Sequence, residues 1–388
     1  MTSTKRTLAR EQTERQEAQL IQKELAVFGT TQRLPPETRD DEEIWWSNHF
    51  EWLKDRGYLL RARYAPDWVP SWKTSRKGWF EREDSRNLEV EHVIDATRLS
   101  DGGYVTLKRI QKSVHPHEVD IGLYFSSESL ASHPENHCIP FYEILSLDDN
   151  DTVIIVMPLL RSYADPAFDT FGEVVECFRQ LFEGLRFMHN HRVAHRDCMN
   201  MNLMLDPGSM YPESFHPVET HLKRDYSGPA IHFTRTQQPP KYYFIDFGIS
   251  RKYDPSDPDP KEVPIWGGDK EVPEFQNSNE PCNPFPTDVF YIGNAIMNDF
   301  IQTKKGFNFM RPLVADMIQS DPSKRPAMDE VIARFDNICR SLSRWKLRSR
   351  VVDREEDAIE KLIHSTSHWR RRIWFIIRGI PAIRKPPS

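Results

Sequence analysis

The sequence lacks the features of a secreted, disulfide-stabilised or membrane-spanning protein. It contains five cysteines in 388 residues, and none of them belongs to a C-x-x-C pair. We therefore expect reduced thiols of an intracellular protein, with neither a disulfide framework nor a zinc site. The first 32 residues are polar and charged, without the apolar core of a signal peptide. No run approaches the roughly eighteen apolar residues that a spanning helix needs, so a cytoplasmic or nuclear location is expected.

An excess of basic charge is also missing. The chain has 58 acidic and 52 basic residues, which gives a formal net charge of -6. Proteins that bind nucleic acids over their surface carry a basic excess, so no nucleic-acid partner is expected. Glycine is scarce beside proline, with 16 against 29 residues, which indicates stiff connections and not a flexible low-complexity chain.

Composition sets both ends of the chain apart from its centre. Residues 1–43 are rich in charged side chains and predict a helical or disordered arm. Residues 44–88 are rich in aromatic side chains, which we expect to pack on the following domain; a partner-binding patch is the alternative. Residues 346–388 form a basic amphipathic tail. This tail suits a peripheral contact with an anionic membrane, or alternatively the packing of Trp374 and Ile377 onto the folded body.

Between these ends the apolar pattern changes from strands to helices. Alternation and a glycine turn predict strands at 90–96 and 104–110, and an apolar run predicts a buried strand at 152–157. Helical spacing then predicts helices at 171–190, 287–303, 310–319 and 328–342. Strands followed by helices indicate an α+β fold, with a strand-rich region at 89–158 and a helical region at 159–345.

Two polar motifs in the helical region carry chemistry. His-Arg-Asp at 195–197 is followed by Asn202 and by the apolar residues 203–205. Asp-Phe-Gly at 246–248 follows an aromatic strand. Phosphoryl transfer needs a positioned nucleophile and cations that neutralise the phosphate oxygens, which two carboxylates and one amide on rigid loops can provide.

The spacing of these motifs resembles the H-R-D-x-x-x-x-N loop and the D-F-G triplet of protein kinases. Upstream, Val-Thr-Leu-Lys at 105–108 resembles the kinase V-A-I-K strand, and Asp-Pro-Ser-Lys-Arg-Pro at 321–326 resembles D-P-x-x-R-P. The chain is thus similar to the eukaryotic protein kinase-like superfamily, and more narrowly to a kinase-like group expanded in mushroom-forming fungi. This resemblance implies a two-lobed fold, with a small β-rich N-lobe and a larger helical C-lobe.

The resemblance also implies a site for ATP and magnesium. Asp197 would accept the proton of the substrate hydroxyl, while Asn202 and Asp246 would hold the metal. Lys108 would contact the α- and β-phosphates.

Other residues are implied to support the nucleotide. Glu118 would pair with Lys108, and Glu128 is the alternative partner. Met157 and Leu159 would line the adenine pocket at the hinge between the lobes.

A third set is implied to support the catalytic loop. Glu274 and Arg325 would form a buried ion pair, and Asp288 would anchor the backbone of the loop. Arg196 would let the loop sense charge on the activation segment, 249–272. That charge would come from phosphorylation, or constitutively from one of the acids Asp254, Asp257 and Asp259.

Four departures from the kinase pattern bear on activity. Met199 stands where serine/threonine kinases carry a lysine, and Gly267 stands where they carry its threonine partner. No G-x-G-x-x-G precedes Lys108. Residues 206–241 are an insertion between the two motifs, and a long loop of this kind is usually functional or disordered.

The leading hypothesis is therefore an ATP- and magnesium-dependent protein kinase of the serine/threonine type, whose activity is weakened by these departures. The alternative is a pseudokinase that serves as a nucleotide-binding or scaffold module. A small-molecule kinase related to aminoglycoside phosphotransferases is a third hypothesis, and the residues Arg196, Glu274 and Arg325 speak against it.

Overall fold

The computed structural model describes residues 35–88, 90–265, 267–276 and 279–386. Within these ranges the chain mixes helices with antiparallel strands, as the predicted α+β class requires. Most of the predicted N-terminal arm, 1–43, lies outside the described residues. Its last three residues begin the first described helix, at Asp41.

The chain forms two compact units. The first contains the described residues up to Lys108 together with Glu213–Ile231, and the second contains Arg109–Pro212 and His232–Ser388. This division differs from the predicted one, which placed a boundary at 158 and the whole insertion in the helical region. The middle of the insertion belongs to the first unit because of long-range charged contacts that no local sequence pattern reveals.

In the first unit, two short helices precede three strands that pair in chain order as an antiparallel sheet. Leu60 pairs with Ala96, and Val93 pairs with Lys108. The two strands predicted here are confirmed, although the earlier one starts at Val93 because the preceding residues form a turn. The elements are α1 (Asp41–Asn48), α2 (Phe50–Asp55), β1 (Tyr58–Leu60), β2 (Val93–Arg98) and β3 (Tyr104–Gln111), with 3-10 turns at Ala62–Tyr64, Ser71–Thr74, Trp79–Glu81 and Glu83–Ser85.

The aromatic extension is part of the core of this unit. Trp46 and Tyr64 are fully buried, and the indole of Trp46 donates a hydrogen bond to the carbonyl of Glu91. Arg63 is buried with them, and its Nε lies 2.6 Å from Oε1 of Glu43, which is also fully buried. The extension therefore packs on the strands that follow it, as predicted.

The inserted segment Glu213–Ile231 is held to β2 by buried charges. Asp95, on β2, accepts hydrogen bonds from Nε of Arg61 at 2.9 Å and from Nη2 of Arg224 at 2.5 Å. Nε of Arg86 donates to the hydroxyl of Tyr226 at 3.1 Å. These contacts give the segment a fixed place although it contains no helix or strand.

The second unit contains the remaining elements. Those before the C-terminal helices are α3 (Glu118–Phe125), α4 (Glu128–Ala131), β4 (Glu143–Ser146), β5 (Thr152–Pro158), β6 (Arg161–Ser162), α5 (Phe171–Asn190), β7 (Val193–Ala194), β8 (Leu203–Leu205), β9 (Tyr242–Phe244) and β10 (Arg251–Lys252). The later helices are α6 (Pro273–Gln276), α7 (Pro284–Ile296), α8 (Arg311–Met317), α9 (Met328–Ser341), α10 (Arg344–Leu347) and α11 (Ala358–Ile377). A π-helical segment, Met297–Gln302, continues α7, and 3-10 turns lie at Asn200–Asn202, Asn308–Met310 and Pro322–Lys324.

Helix α5 is the long central helix of this unit and has the predicted bounds. Thr170 and Glu173 form a capping box, which satisfies backbone donors at its start. Its apolar face packs on α9, where the rings of Phe182 and Phe335 meet edge to face at 5.1 Å. This packing explains why the periodicity alone was sufficient to predict the helix.

The sheet β6-β8-β9 positions both polar motifs. Leu203 pairs with Phe244, so the start of β8 lies beside the end of β9. Asn202 immediately precedes β8, and Asp246 follows β9 by two residues. The two predicted metal ligands therefore lie at the same end of two paired strands.

The C-terminal helix α11 is fastened through its polar side. Nδ1 of His368 lies 3.0 Å from Oδ1 of Asp169, and Nη2 of Arg371 lies 2.9 Å from the same oxygen. Trp374 and Ile377 are 44% and 77% exposed, so the alternative that they pack onto the body is wrong. Within the part of the chain that the structure describes, no helix has the length and apolarity needed to cross a membrane.

Candidate functional site

The structure joins Asp197 to Asn202. Nδ2 of Asn202 donates to the backbone carbonyl of Asp197 at 2.8 Å and to its Oδ2 at 3.0 Å. A 3-10 turn, Asn200–Asn202, brings the amide back towards the aspartate. These two bonds hold the carboxylate in one orientation on the loop that precedes β8.

The other carboxylate oxygen of Asp197 is bound by a backbone amide. The N–H of Gly268 donates to Oδ1 at 2.9 Å. Each carboxylate oxygen has more than one lone pair, so both can still accept another proton donor. The Gly268 contact was not predicted, because backbone donors leave no mark on residue type.

The neighbouring backbone fits tightly against this carboxylate. A Cβ atom added to Gly267 would lie 2.2 Å from Oδ1 of Asp197, and one added to Gly268 would lie 1.9 Å from Sδ of Met199. No side chain fits at either position without movement of its neighbour. The consecutive glycines, which can be read from the sequence, were therefore the signal for this close approach.

Asp246 stands in a left-handed backbone conformation, with φ at 65°. This conformation is uncommon outside glycine, although aspartate tolerates it better than most residues. Its Oδ1 accepts from the N–H of Gly248 at 3.2 Å, and the N–H of Ile245 donates to the carbonyl of Asn202 at 3.0 Å. Residues with unusual backbone geometry are concentrated at functional sites, which makes Asp246 a candidate on geometry as well as on motif.

His195 joins the His-Arg-Asp loop to the strand before Asp246. Its Nδ1 accepts from the N–H of Asp197 at 3.3 Å, so Nε2 carries the proton and donates to the carbonyl of Ile245 at 3.0 Å. The ring is fully buried, and Ser250 Oγ donates to the His195 carbonyl at 2.9 Å. His195 therefore supports the site without being exposed to a substrate.

Asp288, at the start of α7, anchors the loop backbone as expected. It is fully buried and accepts from the N–H groups of His195 and Arg196, at 2.8 and 2.7 Å. Arg196 is in a left-handed conformation, with φ at 69°. Without this carboxylate the two buried N–H groups would have no acceptor, which is energetically costly. The aspartate therefore stabilises the strained conformation of the loop.

The Arg196 side chain binds the activation segment, but not through the predicted acids. Its guanidinium donates to the carbonyls of Ile249 and Val263, at 3.1 and 3.0 Å, and lies 3.8 Å from Oε2 of Glu262. The constitutive partners are thus two carbonyls and Glu262, in place of Asp254, Asp257 or Asp259. Since carbonyls do most of the binding, the acidic residues of the segment were a misleading guide.

The charges around Asp197 act in opposite directions on its carboxyl group. Burial raises the pKa of Asp197 above the ordinary value of an aspartate. The hydrogen bonds from Gly268 and Asn202 lower this pKa, and the negative charge of Asp246 raises it. The net direction is upward, so this carboxyl group binds a proton more readily than an exposed aspartate does.

Glu118, on α3, lies next to the Asp-Phe-Gly turn. It is 2% exposed, and its Oε2 lies 3.4 Å from the point where a Cβ of Gly248 would stand. Oδ1 of Asp246 lies 3.1 Å from the same point. Glu128, the alternative, is exposed on α4. Of the two glutamates, only Glu118 is buried beside the second motif.

Lys108, Met157 and Leu159 are the remaining residues that the kinase resemblance implies for a nucleotide. Lys108 is 7% exposed and is the last residue of the first unit, whereas the other predicted site residues belong to the second. Its phosphate contact stays a prediction. Met157 is buried near the end of β5, and Leu159 precedes β6, whose Arg161 pairs with Leu205 at the end of β8 opposite to Asn202. Their adenine contact also stays a prediction.

Glu274 and Arg325 form the expected ion pair. Nη2 and Nη1 of Arg325 donate to the two carboxylate oxygens of Glu274 at 2.6 and 2.8 Å, and Thr287 donates to Glu274 at 2.7 Å. Burial alone would raise the pKa of Glu274, but the hydrogen bonds and charge of Arg325 lower it overall. This bidentate pair is structural, because it joins α6 to the turn before α9.

The residues fit a magnesium ion of the type that binds phosphates. Among the described residues, no group of three or more His, Cys, Asp or Glu side chains is arranged to hold a metal. Magnesium commonly uses one or two protein ligands and completes its shell with water and phosphate oxygens. The Nδ2 of Asn202 donates to Asp197, so the amide oxygen would be its donor atom to a cation. Asp246 would add a carboxylate oxygen.

Comparison with known proteins assigns no class to the chain. No protein-family model matches it, and no curated protein matches its sequence.

Proposed function

We propose that the chain has a two-lobed, protein-kinase-like fold and transfers the γ-phosphoryl group of ATP to serine or threonine hydroxyls of proteins. One observation carries this proposal: Asp197 is oriented by Asn202 on a loop whose backbone is anchored by Asp288, and this loop leads into β8, which pairs with the strand before Asp246. A positioned base next to a carboxylate and an amide is the arrangement that phosphoryl transfer requires.

Each proposed site residue of the second unit then has a defined role. Asp197 accepts the proton of the substrate hydroxyl while the hydroxyl oxygen forms a bond to the γ-phosphorus. The bond between the γ-phosphorus and the bridging oxygen of the β-phosphate breaks, which releases ADP. Asn202 holds the base and offers its amide oxygen, together with Asp246, to magnesium. When bound, magnesium neutralises the charge on the phosphate oxygens.

The departures from the kinase pattern set the expected rate. Met199 removes one preorganised cation, which typically slows transfer by about 10²–10³, or roughly 3–4 kcal/mol. The proposed base and both metal ligands remain. We therefore expect a kinase with a low rate of phosphoryl transfer.

The test is incubation of the full chain with γ-labelled ATP, magnesium and peptides that contain serine and threonine. Asp197→Asn and Asp246→Asn are compared with the wild type, and Asp148→Asn, an exposed acid outside the site, is the matched control. Labelling by the wild type and the control that falls at least a hundredfold in both site variants supports the proposal. Equal labelling in all four proteins contradicts it.

A specific observation favours a second candidate, a pseudokinase. The Gly268 amide occupies Oδ1 of Asp197, and the backbone of Gly267 lies so close that even a methyl group would not fit. This backbone covers the side of the base to which the Gly268 amide binds. Binding of ATP and magnesium without any transfer, in wild type and variants alike, would favour this candidate.

A further inference from the structure

Helix α11 presents a broad apolar face to solvent. Eight large apolar side chains on it are between 44% and 77% exposed: Ile359, Leu362, Ile363, Trp369, Ile373, Trp374, Ile376 and Ile377. At 3.6 residues per turn they fall within about 160° of the helix circumference. Two exposed polar residues, Thr366 and Arg370, interrupt this face. Scattered exposed apolar residues are ordinary, but eight of them on one side of a helix mark an interaction surface.

The helix cannot hide this face by rotating, because its other side is fixed by polar contacts. Asp169 binds both His368 and Arg371, and the guanidinium of Arg372 lies 3.8 Å from the centre of the Trp345 ring. Phe375 is buried on the same side, at 2% exposed. The helix is thus inverted relative to an ordinary surface helix, which buries its apolar stripe and exposes its charges.

The charge along the same segment is of one sign. From Lys361 to the end of the sequence there are seven lysines and arginines and no aspartate or glutamate. Arg370 is exposed within the apolar face, and Arg378 is exposed just after the helix ends. Basic residues next to an apolar helical face attract anionic lipid head groups, and long arginine side chains can reach these groups from a partly inserted helix.

Three exposed tryptophans suit the same surface. Trp369 and Trp374 belong to the face, and the ring of Trp345, which is 66% exposed, lies 6.1 Å from that of Trp369. Tryptophan is enriched where the lipid chains meet the head groups, because it has an apolar body and a polar N–H.

We propose that α11 binds the surface of an anionic lipid bilayer, lying flat with its apolar face inserted. A helix of 20 residues lies along about 30 Å of the surface, in the manner of interfacial amphipathic helices. A second copy of the chain is a poorer occupant. Arg370 is near the middle of the face, so two copies packed through it would bring like charges together. This inference does not depend on the proposed phosphoryl transfer.

The test is co-sedimentation of the full chain with vesicles of phosphatidylcholine alone and of phosphatidylcholine with one quarter phosphatidylserine. We expect binding to the anionic vesicles, weaker binding at high salt, and little binding to the neutral ones. The variant Ile373→Ser/Ile377→Ser should bind at least about tenfold more weakly, since each change removes apolar contact with lipid. Val114→Ser, at an exposed apolar residue outside the helix, should bind as the wild type does.

Two further measurements keep the proposal open to contradiction. Arg370→Glu should weaken binding to the anionic vesicles, and thermal unfolding checks that each variant is folded. Equal binding to neutral and anionic vesicles, or no binding to either, would overturn the proposal. A stable dimer in light scattering that Ile373→Ser/Ile377→Ser dissociates would assign the face to a second copy instead.

Discussion

The backbone N–H of Gly268 donates a hydrogen bond to Oδ1 of Asp197, 2.9 Å away. According to the resemblance, Met199 and Gly267 stand where serine/threonine kinases carry a lysine and its threonine partner. Here a main-chain amide contacts the aspartate, and the Met199 side chain packs on the same glycine. The two departures from the pattern are therefore parts of one local arrangement.

This arrangement predicts a compensating pair of changes. Gly268→Ala places a Cβ 1.9 Å from Sδ of Met199, so it should shift the amide away from Asp197 and lower the rate of phosphoryl transfer. Overpacking of this kind typically costs about 1–3 kcal/mol. Gly268→Ala/Met199→Ala removes the obstructing atoms and should recover most of the loss.

A double-mutant cycle on kcat and on the KM for ATP measures this coupling, with Met199→Ala as the control. Purely additive effects of the two changes would show that the packing of Met199 on Gly268 does not position the base.

The pH dependence of activity should reflect the raised pKa of Asp197. Burial raises this pKa above the usual value of about 3.9, and only the deprotonated carboxylate can accept the hydroxyl proton. Activity should therefore fall with decreasing pH through an apparent pKa above that of an exposed aspartate. The measurement is kcat/KM against pH, with circular dichroism to confirm folding. An acid limb at or below the usual value would contradict the assignment of Asp197 as the base.

The inserted segment should be released when its buried charge partner is removed. Asp95→Ala leaves the buried Arg61 and the partly exposed Arg224 without this carboxylate, and breaking a buried ion pair typically destabilises a protein by about 3–5 kcal/mol. Trypsin should then cleave faster after Lys223 and Arg224, as followed by mass spectrometry. Asp101→Ala, an exposed ion-pair partner in the same unit, is the control and should cleave at the wild-type rate.

Acid should loosen the attachment of α11. Burial opposes ionisation of Asp169, but hydrogen bonds from His368 and Arg371 lower its pKa to about 2. Because the pKa of Asp169 is lowered in the folded state, the stabilising contribution of its carboxylate is complete above about pH 3.9. This contribution is lost as the pH falls towards 2. The protection factors of the α11 amides, which correct for the slower intrinsic exchange in acid, should fall in this window for the wild type.

Asp169→Asn is the matched variant for that experiment. It lacks the titrating carboxyl, so its α11 amides should exchange faster at neutral pH and show a smaller change below pH 4. If the wild type and the variant exchange alike at every pH, this ion pair does not hold the helix.

The sequence was sufficient for features that depend on local periodicity or on spaced motifs. The bounds of α5 followed from its apolar stripe, and the pairing of Glu274 with Arg325 followed from the kinase resemblance. The amide of Gly268 and the carbonyls that bind Arg196 were not predictable in this way, because main-chain groups are the same in every residue. The face of α11 was also ambiguous, since both sides of the helix contain apolar residues, and only the contacts of Asp169 decide which side turns inward.

The first unit is discontinuous in sequence, since Glu213–Ile231 completes it from a point more than a hundred residues beyond Lys108. During synthesis this unit cannot reach its final form when its own N-terminal stretch leaves the ribosome. The buried carboxylate of Asp95 must wait for Arg224, by which time α5 and the catalytic loop have already been made. A protein divided in this way assembles its N-terminal part late, and fragments that end before residue 231 should be unable to fold it.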